Sequence, residues 1–455
     1  MERREFLKVV GAGSAALGAT AVGCAPKKDK KAPVATGNGG MEYRVNPRNG
    51  DKISLLGYGC MRWPMIPDRN YTGNGRAPQV IDQEAVNAMV DRAYQGGVNY
   101  YDTSPAYLQG QSEKAAGIAL SRYPRNTFYI ATKLSNFGDN SWEGSKKMYL
   151  DSFEEMQTDY FDYYLLHNIG GGGLPMFSAR YEDNGIMDFL LKERESGRIR
   201  NLGFSFHGNQ AAFDDFLKLD DKYHWDFVQI QMNYVDWRHA DTRRNANAEY
   251  LYEELDKREI PITVMEPLQG GRLASVPENI TAMMKTREPD KSVASWAFRF
   301  VGSHPRVLTA LSGMTVIEHV EENLETFTDF QYLSEEEYQF LEEMAVLMRE
   351  YPMVDCNDCK YCMPCPYGLD IPEIFKHYNK CVSEGLIAQN AAQEGYKKLR
   401  RRYLLSYDRA VAPVRQADHC TGCNQCVEHC PQSLRIPQEL QRIDNYVEKL
   451  RQGLL

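Results

Sequence analysis

The sequence predicts a closed (β/α)₈ barrel followed by a smaller, cysteine-rich helical domain. Two observations predict this. From residue 51 to about 330, a short apolar, β-branched or aromatic run followed by a longer amphipathic stretch recurs eight times. Then, past residue 350, eight of the eleven cysteines fall into two tight groups. Alternating strand and helix signals imply parallel βαβ units, and eight units in about 280 residues suit a closed barrel better than an open doubly wound sheet.

The predicted strands are 53–59 (ISLLGYG), 98–103 (VNYYDT), 128–133 (FYIATK), 162–167 (DYYLLH), 199–205 (IRNLGFS), 227–233 (FVQIQMN), 262–267 (ITVMEP) and 307–313 (VLTALSG). Between them lie helical patterns such as DQEAVNAMVDRAYQGG and NAEYLYEELDKRE. The loops after the first strand (RWPMIPDRNYTGNGRAPQ) and the fourth (NIGGGGLPMFSARYEDNG) are long and shape any pocket at that face. Trp63 and Phe177 are candidates for its apolar walls or for packing under their own loops.

Chemistry in such barrels sits at the C-terminal ends of the strands. Here the second strand ends near Asp102, the third at Lys133 and the fourth at His167, with Tyr107 in the following DTSPAY. A carbonyl reduced by hydride becomes an alkoxide and needs a proton. Tyrosine can give it, although its ordinary pKa of about 10 is high. A neighbouring Lys133 ammonium is expected to lower that value, Asp102 to pair the buried lysine, and His167 to orient the carbonyl oxygen.

This stretch, about 41–330, resembles the aldo-keto reductases in NYYDTSPAY, IATK, YYLLH, IRNLGFS, QMNY, VMEPLQGG and SGMTVIEHVEENL. The resemblance implies a barrel that binds a nicotinamide dinucleotide in extended form and uses Asp102, Tyr107, Lys133 and His167 as a catalytic tetrad. It assigns nicotinamide contacts to Ser205 and Gln231, with loop contacts at Pro267, Leu268 and Gly270. The adenosine end maps to Ser312, Gly313, His319, Glu322 and Asn323. Met265 stands where many members stack a tyrosine. His319 replaces an arginine that would read a 2′-phosphate, which leaves NADP and NAD both open.

The second cysteine group, CTGCNQCVEHCP, places Cys420, Cys423, Cys426 and Cys430 in the C-x₂-C-x₂-C-x₃-C-P run of bacterial ferredoxins. The first, CNDCKYCMPCP, holds Cys356, Cys359, Cys362 and Cys365, with its last gap one residue shorter. Two [4Fe–4S] clusters are expected, against disulfides or zinc. The fourth cysteine of the run serves the other cluster. One set is then Cys356, Cys359, Cys362 and Cys430, the other Cys420, Cys423, Cys426 and Cys365. Cys60 and Cys381 stand apart and read as packed thiols. Residues 372–405 read as helical, and the tail resembles the ferredoxin-like domain carried by one branch of aldo-keto reductases.

The chain begins with ERREFLK and an apolar run of 14 residues, Val9 to Val22. That is short for a membrane span and fits a signal h-region. It resembles a twin-arginine export signal, and AVGC resembles a lipobox, which makes Cys24 a candidate lipid anchor. The expected organisation is a signal over 1–26, a linker over 27–40, a barrel over 41–350 and a two-cluster domain over 351–455. The expected location is periplasmic, free or membrane-anchored.

A net charge of −9 argues against a nucleic-acid partner. The reading is an exported oxidoreductase acting on a small carbonyl or alcohol, conceivably a sugar, with the clusters structural or serving a redox partner protein. The alternative is an electron-transfer or redox-sensing protein that uses the barrel as a scaffold.

Overall fold

The computed structural model describes residues 40–73, 77–241 and 245–455. The signal segment, Cys24 and all but the last residue of the expected linker lie outside them. The strands are β1 (Tyr43–Val45), β2 (Lys52–Ser54), β3 (Leu56–Gly59), β4 (Met65–Pro67), β5 (Gln79–Ile81), β6 (Tyr100–Asp102), β7 (Tyr129–Leu134), β8 (Phe161–Gly170), β9 (Ile199–His207), β10 (Phe227–Gln231), β11 (Ile262–Met265) and β12 (Val307–Ser312). Eight of them, β3 and β6 to β12, form a closed parallel barrel.

The barrel runs in chain order and closes where β12 pairs with β3, through Ala310↔Leu56 and Ser312↔Tyr58. Its first strand is shorter than the sequence suggests. Lys52–Ser54 leaves the expected 53–59 run to pair with Tyr43–Val45 in an antiparallel hairpin. Ile53 from that hairpin is fully buried in the barrel interior with Tyr100, Ala131, Tyr163, Leu165 and Phe227, so these residues plug the barrel floor instead of extending a stave. The loop after β3 also has structure of its own, since β4 and β5 pair antiparallel within it.

Inside the barrel, side chains two positions apart stack in successive layers. Tyr163 lies 5.2 Å from Tyr100 and 5.0 Å from Phe227, ring to ring. One step further along each strand, the interior changes from apolar to polar. Tyr100 gives way to Asp102, Ala131 to Lys133, Leu165 to His167, and Phe227 to Gln229. The floor is a hydrophobic plug and the mouth is a polar site, a division written into the sequence at period two.

The chain has two outer cores. The helix Glu335–Arg349 packs Phe340, Leu341, Met344 and Met348 onto the barrel's helical layer. From Val354 onward, burial belongs to a separate core around Phe375, Tyr403, Leu440 and Val447. This C-terminal region has helices Ile371–Ser383, Tyr396–Ala410 and Ile436–Gln452. The helical region expected over 372–405 is two helices. They are separated at Gly385 and Gly395, whose φ of 63° and 74° no helix accommodates.

Gly117 shows how tightly neighbouring helices of the outer layer pack, here against the helix Trp142–Met156. It sits in the helix Ser112–Leu120, and a Cβ there would collide with the Glu155 carbonyl and the Met156 backbone. Helix propensity favours Gly117→Ala by about 1 kcal/mol. Overpacking against rigid backbone costs about 1–3 kcal/mol. The clash wins, so Gly117→Ala will lower the melting temperature. An unchanged or raised value in a calorimetric scan would contradict this packing.

Candidate active site

The polar mouth is built around a buried ion pair. Lys133 Nζ donates to Asp102 Oδ1 at 2.5 Å and to the Thr103 carbonyl at 2.8 Å. The two side chains are 0% and 3% exposed. Taking two charges out of water costs several kcal/mol each, so such a pair survives only with further hydrogen bonds. Gln229 supplies one from across the barrel, donating to Asp102 Oδ2 at 3.1 Å.

Tyr107 lies above this pair, its ring centroid 5.0 Å from Lys133 Nζ and 5.8 Å from the His167 ring, edge-on. Its hydroxyl has no hydrogen-bond partner among the described residues, and the side chain lines the open groove at the barrel mouth. The turn that follows is strained, with Leu108 and Gln109 at φ 50° and 58°. Asn168, directly after His167, and Glu266, directly after β11, are left-handed as well, at 52° and 58°. Non-glycine residues pay about 1 kcal/mol or more for this conformation. Here the cost falls at three barrel strand ends that face one groove.

His167 is held from behind. Its Nδ1 lies 2.5 Å from Ser135 Oγ and 3.2 Å from Ser104 Oγ, and the two hydroxyls are 2.8 Å apart. Arg180 fixes the backbone by donating to the His167 carbonyl at 2.9 Å. Burial, then the charge of Lys133, holds the imidazole well below its usual pKa, so it is neutral at pH 7. Where a serine hydroxyl donates to Nδ1, the ring proton sits on Nε2, which makes Nε2–H a donor.

One electrostatic expectation is reversed. The net shift of Tyr107 is upward. Burial pushes its hydroxyl well above the usual value, and Asp102, Tyr361 and Glu266 push the same way. The lysine charge is already spoken for by Asp102, whose own charge opposes a phenolate. The hydroxyl therefore keeps its proton at neutral pH.

The residues expected at the nucleotide separate into two groups. Met265, Pro267, Leu268, Gly270 and, at the far end, Ser312, Gly313, His319, Glu322 and Asn323 all line the same groove, a cavity of about 2280 Å³. Asn323 donates to Ser312 Oγ at 2.8 Å, and the Thr315 N–H reaches His319 Nδ1 at 3.3 Å. Ser205 and Gln231 do not line it. Ser205 is buried and its Oγ accepts from the Asn168 N–H, while Gln231 is engaged by Asp236 and Gln432. The long groove fits an extended dinucleotide at its adenosine end, and the carboxamide end is closed by the protein's own side chains.

Part of that closure, Gln432, comes from the C-terminal domain, which seats on the barrel mouth. Arg62 donates to the Asn357 carbonyl and pairs with Asp358 at 3.4 Å. Asn357 Nδ2 donates to Glu266 at 2.9 Å, and Arg272 pairs with Asp355 at 2.8 Å. Gly270 lets the Asn357 backbone approach where any Cβ would clash. Tyr361 reaches into the groove, its ring 6.4 Å from His167.

Behind this interface lie the eight expected ligand cysteines, none of them in a disulfide among the described residues. Burial pushes Cys356 and Cys362 up to about 12 and Cys426 up to about 11. Like charges add to these shifts: Cys430 acts on Cys356, Cys359 and Cys362, Cys426 also acts on Cys362, and Cys420, Cys423 and Cys365 act on Cys426. Thiols raised in this way become thiolates beside metal cations, so this mostly half-buried donor set fits iron–sulfur chemistry, while no group of three or more metal-ligating side chains among the described residues is arranged around a single metal ion. Cys60 and Cys381 are buried elsewhere as packed thiols.

Comparison with known proteins agrees with this geometry. The family model described as aldo/keto reductase matches residues 70–346. The chain belongs to that family. A 4Fe-4S dicluster domain matches residues 355–435. L-galactose dehydrogenase of Arabidopsis thaliana is 25% identical over 325 residues, covering 68% of this chain and 94% of that one. D-arabinose 1-dehydrogenase of Saccharomyces cerevisiae is 31% identical over 173 residues, 36% of this chain and 46% of its own. Among solved structures, a Klebsiella pneumoniae aldo/keto reductase in complex with NADP and acetate superposes with a TM-score of 0.51 at 22% identity, over 66% of this chain and 94% of that one. A Bacillus halodurans aldo-keto reductase in its holo form gives 0.52 at 21%, over 67% and 96%. These structures share the barrel fold.

Sequence reasoning missed several parts of this reductase site. Gln229 sits two residues before Gln231 on the same strand face and could have been found by that period. Ser104 and Ser135 follow strand ends directly, next to residues already singled out. Glu266 lies between Met265 and Pro267, both already singled out; Asn357, Tyr361 and Gln432 carry no such signal, because only the docking of the two domains brings them to the mouth. Trp63 packs against Tyr58 at 4.8 Å and also lines the groove, as expected of an apolar wall, whereas Phe177 is buried under its own loop against Tyr181 and Phe216.

Proposed function

We propose that this aldo-keto reductase is exported by the twin-arginine route and reversibly interconverts a small carbonyl and its alcohol, using a nicotinamide dinucleotide. The observation that carries the chemistry is the convergence of Tyr107 with the Asp102–Lys133 pair and a neutral His167 at one end of a long groove. When bound, the nucleotide supplies or takes the hydride. Tyr107 Oη, protonated because it is buried, gives its proton to the carbonyl oxygen in reduction. Lys133, kept charged by Asp102, stands behind the ring and offsets only part of the cost of the phenolate left behind. His167 Nε2–H donates to the same oxygen and orients it. In oxidation, the proton returns to Tyr107.

A polyol of sugar type is the substrate class this reading favours. Two relatives carry sugar dehydrogenase names, and the mouth offers carboxylate, amide, imidazole and guanidinium groups from Glu266, Gln109, His207 and Arg180. Two [4Fe–4S] clusters, held by Cys356, Cys359, Cys362 with Cys430 and by Cys420, Cys423, Cys426 with Cys365, supply one-electron chemistry when present. Export in the folded state suits a protein that must acquire clusters, and a tightly held nucleotide, before meeting an oxidising compartment. The AVGC stretch makes Cys24 the proposed lipid anchor.

Tyr107→Phe will lower kcat about 10²–10⁴-fold with nucleotide affinity unchanged. Undiminished turnover in steady-state assays would exclude Tyr107 as proton donor and favour a scaffold role for the barrel. Anaerobically purified protein will contain about eight irons and eight acid-labile sulfides per chain; about four of each would leave a single cluster. Replacing Arg3 and Arg4 together by lysine will hold the protein in the cytosolic fraction. Continued appearance outside the inner membrane would refute twin-arginine export.

A further inference from the structure

Gln432, two residues beyond Cys430, lays its carboxamide against that of Gln231 at the top of β10. Gln432 Nε2 donates to Gln231 Oε1 at 2.8 Å, and Gln231 Nε2 donates back to Gln432 Oε1 at 3.3 Å. This is the head-to-head pairing of two primary amides. The orientation of Gln231 is fixed from the other side, since its Nε2 also donates to Asp236 at 2.7 Å. Asp236 in turn accepts from Asn233 at 2.6 Å and Gln269 at 2.7 Å, so it is committed as an acceptor. Gln231 therefore presents one donor and one acceptor toward the mouth, and Gln432 fills both.

A nicotinamide ring carries the same functional group, a primary carboxamide with one acceptor oxygen and one donor nitrogen. We propose that Gln432 is an internal stand-in for that carboxamide, and that a nicotinamide nucleotide must displace it from Gln231 to seat its ring. The inference rests on the reading that the groove takes such a nucleotide. The displacement is local. The contacts that seat the C-terminal domain, Arg62 with Asp358, Asn357 with Glu266 and Arg272 with Asp355, are independent of Gln432. Both glutamines are half-buried and uncharged, so the pair can exchange partners without stranding a charge. The occupied seat lowers apparent nucleotide affinity by the fraction of time it is closed. By reciprocity, bound nucleotide releases the segment around Gln432, next to a cysteine of the first cluster set.

The test uses the full-length holoprotein and two probes: whichever of NAD and NADP binds, and the same molecule lacking the nicotinamide ring (ADP-ribose or its 2′-phosphate). Losing one neutral amide pair changes affinity about three- to tenfold. Gln432→Ala should tighten the complete nucleotide by that factor and leave the ring-less fragment unchanged in equilibrium titrations, with iron content as in the parent protein. In the parent protein, adding the nucleotide should speed hydrogen exchange over residues 430–434. The proposal is overturned if Gln432→Ala leaves the complete nucleotide unchanged or weakens it, if both probes tighten equally, or if exchange at 430–434 does not respond. If neither probe binds either protein, the nucleotide reading fails as well. Fragment binding without any effect of Gln432 on the complete nucleotide sinks the competition alone.

Discussion

The site depends first on a charge that the fold has buried and must satisfy. Lys133 is inaccessible to water, and its ammonium is tolerable only because Asp102, the Thr103 carbonyl and, through Asp102, Gln229 surround it. Those groups come from β6, β7 and β10, which meet only when the barrel closes. Breaking such a pair on one side costs about 3–5 kcal/mol. The ion pair thus joins the register of three strands to the position of the group under Tyr107. It also explains why Tyr107 is not acidified. A lysine that neutralises a carboxylate 2.5 Å away has little field left for a phenol, and burial then decides the outcome.

The second constraint is the join between barrel and tail. The C-terminal domain approaches the catalytic face through the backbone of Asn357, and Gly270 is the position where that backbone would otherwise collide. Around it, opposite charges meet at Arg62 with Asp358 and Arg272 with Asp355, and Glu266 accepts from Asn357. Exposed ion pairs contribute little singly. Here both arginines are less than a quarter exposed and flank one glycine contact, so they fix orientation more than they add stability. Glu266 holds its left-handed backbone within this arrangement.

The barrel was legible because its signal is periodic: apolar runs at regular intervals, with each strand's interior residue changing from apolar to protic over two positions. Asp102, Lys133 and His167 could be read for that reason, and the cysteine spacing announced an iron–sulfur domain, in line with the 4Fe-4S dicluster match over residues 355–435. What could not be read was anything requiring two distant segments to meet. Ile53 looked like barrel strand because its β-propensity is the same in a floor-plugging hairpin. Gln231 looked like an open nucleotide contact because nothing in its own neighbourhood announces Gln432, about 200 positions away. The lowering of Tyr107 was expected from a pairwise rule, and it failed because a third group had already claimed the lysine.

The stretch shared with other reductases ends at residue 346, yet the groove does not. Tyr361 faces His167, and Cys356, Cys359 and Cys430 line the same cavity as Tyr107. Its walls therefore come from two domains, and the pocket offered to a substrate is incomplete in the barrel alone. Tyr361 therefore stands in the path of any molecule that approaches Tyr107 along the groove. The tail shares in shaping that approach, and the contacts of Arg62, Gly270 and Arg272 with residues 355–358 hold the phenol ring in place through the backbone that carries it.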